Sequence, residues 1–215
     1  MTLGLTEKEI KFLKKLNTPS KIQDYLNSLP VNFETRGETL MSPRKVIREK
    51  KAHCLEGALL AALALKINGQ KPLLLDLKTS DRKRDNDHVV ALFRKNGHWG
   101  AISKTNHAVL RYREPVYKNI RELAMSYFHE YFTDNGKKTL ESYSLPFDLS
   151  KSKVRDWAIS EKNLWPISKE LNRVKHFKIL DKRTKKGLRL ADRIEIKAGK
   201  ILEWKRLNSQ VKRVI

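Results

Sequence analysis

Cys54 is the only cysteine of the chain, and an apolar run follows it directly: Leu55-Glu56-Gly57-Ala58-Leu59-Leu60-Ala61-Ala62-Leu63-Ala64-Leu65. Alanine and leucine are strong helix formers. The run therefore predicts a helix with Cys54 at its N-terminus. Unpaired backbone N–H groups and the helix dipole favour a thiolate there. A cysteine nucleophile also needs a base within hydrogen-bond reach and a third group that orients the base. His88, 34 residues on (88 − 54), opens an apolar strand and is the candidate base. The orienting group is expected on the neighbouring strand or at its exit, where Ser103 and Asn106 are the candidates. The helix N-terminus also offers N–H groups to a developing oxyanion. The chemistry such residues perform is acyl transfer through a thioester.

Several elements must position these residues. Ser42-Pro43 reads as an N-cap and first-turn proline of a short basic helix just before the Cys54 helix. Asn68-Gly69 closes the Cys54 helix with a C-cap signal. A helix apolar on nearly every face is a buried central helix. Residues 72–77 form a short apolar run bounded by turn signals, which predicts a buried strand. Residues 88–93 and 98–103 flank Asn96-Gly97, the strongest short-range hairpin signal. Upstream, Thr6 and Glu9 make a capping box, and Thr18-Pro19 opens a second helix that Leu29-Pro30 ends. Downstream, residues 112–117 contain Pro115 and read as a loop. A helix is expected over about 118–132, then an extended linker at 145–149 and a β-hairpin over 192–204.

In this order of elements the chain resembles the transglutaminase-like superfamily of cysteine enzymes. The residues that carry the resemblance are Pro43 to Arg48 before Cys54, the strand opening at His88, and the strand opening at Trp99. It spans roughly residues 18–132. It implies an α+β, papain-like core, with N-terminal helices and the Cys54 helix packed on a small antiparallel sheet. Cys54 and His88 carry over as nucleophile and base. Ser103 stands where the family carries an aspartate, and Ala52 where it has a glycine two residues before the cysteine. Ser103 accepts a hydrogen bond but brings no charge; Asn106 is the amide alternative. The implied reaction is hydrolysis of an amide or peptide bond, with a peptide or protein as substrate and no metal or organic cofactor.

A chain of 215 residues suits one domain with an appendage. The expected division is a transglutaminase-like domain over 1–150 and a basic extension over 151–215, docked through Trp157 and Trp165. Lys and Arg number 46 against 24 Asp and Glu, a formal net charge of +22. That balance fits an anionic partner or a thermophilic style of surface. One cysteine excludes an internal disulfide and fits a reducing compartment. With no long apolar run, the expected location is the cytoplasm, without a membrane partner. Two other functions fit the residues. One is a non-catalytic protein-binding module on the same fold. The other is a nucleic-acid-binding protein acting through the basic run 182–189, although no nucleic-acid module pattern accompanies it. His53 is expected to flank the site or point outward, since adjacent helix positions do not face each other. Glu56 suits the first turn of a helix.

Overall fold

The computed structural model describes residues 3–81 and 83–204. The Thr6 hydroxyl accepts a hydrogen bond from the Glu9 N–H and the Glu9 carboxylate accepts one from the Thr6 N–H, so α1 (Glu7–Lys15) starts at a capping box. α2 (Pro19–Ser28) and α3 (Pro43–Glu49) each begin with a capping hydroxyl, Thr18 or Ser42, and a proline behind it. α4 (Cys54–Ile67) is buried at every position from Leu55 to Leu65. With no polar face to offer water, it lies between layers: α1, α2 and α3 pack on it, as do two strands of a sheet, β1 (Leu73–Thr79) and β2 (His88–Lys95).

The sheet continues through β3 (His98–Ile102), β4 (Arg113–Tyr117), β5 (Leu140–Ser144), β6 (Phe147–Asp148) and β7 (His176–Lys178). Its order is β4-β3-β2-β1-β5-β7, with β6 also on β1, and every pairing is antiparallel. Asn96 and Gly97 both take positive φ, 50° and 81°, which closes the β2–β3 hairpin as its sequence predicts. β2 is buried on both faces. Val89, Ala91 and Phe93 join the cluster around α4, while Val90 and Leu92 join a second cluster with Leu123, Tyr127 and Tyr131. The fold is thus α+β, with helices on an antiparallel sheet of seven strands.

Four expectations need correction. Residues 113–117 form β4 instead of a loop; Pro115 is tolerated because β4 is an edge strand bonded on one side only. The helix expected over 118–132 is only α5 (Ile120–Met125). Arg113 takes the Ser126 carbonyl at 3.2 Å, and the Ser126 hydroxyl donates to the Leu123 carbonyl at 2.7 Å. The chain tightens there into a 3-10 turn at Phe128–Glu130.

The hairpin expected over 192–204 is a helix. After α6 (Trp165–Arg173) and α7 (Lys182–Lys186), α8 (Arg193–Gly199) begins at a capping box. Asp192 accepts from the Ile194 and Glu195 N–H groups, and Glu195 accepts from the Asp192 N–H. That reciprocal cap outweighs the alternation of Ile194 and Ile196. Residues after 150 share the α4 core through Trp157, Leu164, Ile167 and Leu171. Trp165, in contrast, is 40% exposed, so Trp157 alone of the two tryptophans is an anchor. Residues 205–215 of the expected extension lie outside the described residues. Among the described residues no helix is long and apolar enough to cross a membrane.

Candidate active site

The start of α4 is fixed from below. Lys50 ends α3 in a left-handed turn (φ 51°). Ala52 then donates to the Pro30 carbonyl and accepts from the Asn32 N–H, at 3.2 and 3.1 Å. His53 follows in extended conformation as the N-cap of α4. The Glu56 carboxylate, fully buried, lies under it. It accepts from the His53 N–H (3.0 Å), the Met41 N–H (2.9 Å), the Thr39 hydroxyl (2.8 Å) and Asn32 Nδ2 (3.2 Å). Four donors satisfy a charge that burial alone would strongly disfavour.

The other wall is the end of β3. Gln23 of α2 donates from Nε2 to the Ser103 carbonyl at 2.8 Å, and its Oε1 accepts from the Ser103 N–H at 2.9 Å. Next in the chain, Lys104 is 2% exposed, with Nζ donating to the carbonyls of Leu26 and Leu29. Its stem lies against Gly57 so closely that a Cβ there would stand 2.3 Å from Lys104 Cβ. Glycine in the first turns of α4 is what lets this strand approach the helix.

Ser103 donates its hydroxyl proton to the Leu110 carbonyl at 2.8 Å. Its oxygen is 2.7 Å from His88 Nε2. With that proton engaged, Ser103 accepts from His88, so the hydrogen-bond network assigns the proton to Nε2. Nδ1 is left for the cysteine.

Cys54 is half-buried at one end of a cleft of about 160 Å³. His53 and His88 line the same cleft. Burial pushes the thiol up, but the neighbouring imidazoles, His53 first and then His88, outweigh it and bring the pKa down to about 5. Burial pushes the His53 imidazolium down. The Cys54 thiolate, Glu56 and the Thr39 carbonyl reverse that and raise it to about 9. Across the cleft, burial raises the Asp85 carboxyl even though Thr139 donates to it. Among the described residues no group of three or more His, Cys, Asp or Glu is placed to hold a metal ion.

Three of the four residues singled out from the sequence, Cys54, His88 and Ser103, come together here. Asn106 does not join them as an orienting group. It borders the cleft, but its side chain donates to the Trp204 carbonyl at 2.9 Å and accepts from the Trp204 N–H at 2.8 Å. It belongs to a seam in which residues 199–204 lie along 106–111. His107 Nδ1 meets the Gly199 carbonyl at 2.8 Å, Ala108 donates to Ile201 at 3.0 Å, and Glu203 donates to Asn106 at 3.1 Å.

His53 is the cleft residue that its sequence position concealed. The rule that neighbouring helix residues diverge applies inside a helix, and His53 is the extended cap outside it. The signal available was the His53-x-x-Glu56 spacing of a capping box. Gln23 lies 80 residues from Ser103 and had no local signal. No family model matches the chain, and no curated protein matches it.

Proposed function

We propose that this protein is a cysteine-dependent acyl-transfer enzyme that hydrolyses an amide or peptide bond, on a papain-like core of the transglutaminase-like kind. The observation that carries the reading is that Cys54, at the N-terminus of α4, shares its cleft with His88, whose ring is held by the Ser103 hydroxyl at 2.7 Å. The Cys54 thiolate attacks the carbonyl carbon, forming a C–S bond and placing charge on the oxygen beside the N-terminus of α4. His88 gives a proton to the leaving amine as the C–N bond breaks. Water then attacks the thioester and loses a proton to His88, and the C–S bond breaks to return Cys54. Each turnover consumes one amide and one water and releases one acid and one amine. The partner is a peptide or protein, and the setting is the cytoplasm.

A fluorogenic peptide-amide library tests the reading with the full chain. Turnover is expected from the parent protein and a loss of at least about a thousandfold in Cys54→Ala and His88→Ala, in line with removal of a catalytic unit. Turnover that survives Cys54→Ala refutes it.

A further inference from the structure

The cleft contains two imidazoles where the reaction above uses one. They are backed differently. His88 rests on a neutral hydroxyl, Ser103, at 2.7 Å. His53 rests on a carbonyl and a carboxylate: its Nε2 lies 3.0 Å from the Thr39 oxygen, 3.4 Å from Glu56 and 3.9 Å from Glu34. A carbonyl oxygen only accepts, so Nε2 carries a proton and donates. Nδ1 is left for the cleft that the ring shares with Cys54. Glu56 is itself locked by four donors, two of them main-chain N–H groups.

We propose that His53, backed by Glu56, is a second imidazole of the site: it stands as the imidazolium that holds the Cys54 thiolate, and so leaves His88 free to carry the proton. The inference rests on the Cys54–His88 reading. It accounts for Ser103 in the position where a carboxylate is expected. The negative charge that completes the site lies behind the other histidine, and a neutral partner suits a ring that must alternate between protonated and neutral forms. His53 is a positioning residue here; it makes no bond to substrate.

Other titratable groups face the same space. His88 and Lys104 border it from the sheet side, and Asp85, Asp87, His107 and Tyr131 from the surrounding loops. Lys104 is tied to the end of α2 by two carbonyls. His88 is therefore the rival to His53 for holding the thiolate.

Alkylation of the full chain by iodoacetamide, followed from pH 4 to 10, separates the two rings. The parent midpoint is expected near pH 5. His53→Gln is expected to raise it by at least about one unit, lowering the rate at pH 4 roughly tenfold, as loss of an adjacent opposite charge does. His88→Gln is expected to raise it less while removing hydrolysis. A midpoint unchanged in His53→Gln, or moved further by His88→Gln, overturns the inference. A ring titration by NMR in the parent fold guards against a misfolded variant. His53 is expected to titrate near 9 and to fall by about one unit or more in Cys54→Ser. An equal value in both proteins overturns the inference. These readouts need no substrate. Failure of the hydrolase reading shows as absent amide turnover, and failure of this one as a thiol indifferent to His53.

Discussion

Gln23 and Ser103 hold each other by two hydrogen bonds of 2.8 and 2.9 Å, side chain to main chain, across 80 residues of sequence. Through this clasp α2, which contributes no reacting atom, sets the residue on which His88 rests. Gln23 is 5% exposed, so neither partner has water to fall back on. Gln23→Ala is expected to leave two buried main-chain groups unpaired and to cost about 1–3 kcal/mol. Urea unfolding measures the cost. Turnover should fall as well, since the Ser103 backbone loses its tether.

Ser103→Ala removes the acceptor of His88 Nε2 and the donor to Leu110. A neutral hydrogen bond of this kind contributes about 0.5–1.5 kcal/mol net, which is a two- to tenfold loss in kcat/KM. Under the proposed reaction the loss should fall on kcat, because Ser103→Ala misorients the His88 ring while the cleft keeps its lining. A loss confined to KM would contradict that role.

Asn106→Ala breaks the two-way bond to Trp204. Hydrogen exchange at the amides of Ala108, Glu203 and Trp204 is expected to rise, because all three bond across the seam. The pH midpoint of Cys54 alkylation is expected to stay near 5. A shift in that midpoint would give Asn106 the orienting role that its contacts deny it.

Arg44 clamps Glu9 at 2.7 and 2.9 Å, and that bond chiefly holds the Glu9 carboxyl down to about 2. A carboxyl lowered by folding stabilises the folded state fully above its unfolded pKa of 4.5, and the contribution is lost as pH falls toward 2. Arg44→Gln should flatten the loss of stability between pH 4.5 and 2. Denaturant midpoints measured across that window read it directly.

The sequence signals that held were local and redundant. α4 was legible because its apolar run, its N-terminal cysteine and Asn68-Gly69 all agree on one buried helix. The β2–β3 hairpin was legible because Asn96-Gly97 admits few other conformations. The misread segments are those in which distant groups decide. Arg113, outside the segment, takes the Ser126 carbonyl and breaks the aromatic helix. Alternating Ile194 and Ile196 suggested a strand, yet Asp192 and Glu195 cap a helix there. Within the site, Cys54, His88 and Ser103 could be ordered from spacing, but His53 required knowing that it lies outside the helix it caps. Asn106 was the nearest amide in sequence, and its partner Trp204 lies 98 residues away.

The seam between 106–111 and 199–204 also sets a temporal order. A chain is synthesised from its N-terminus. Cys54, His88 and Ser103 therefore leave the ribosome well before the segment that Asn106 and His107 bind. A nascent or stalled chain presents Cys54 and His88 with that flank of the cleft unpaired. The flank closes only when residues 199–204 have emerged, so one wall of the cleft is the last of its parts to be made.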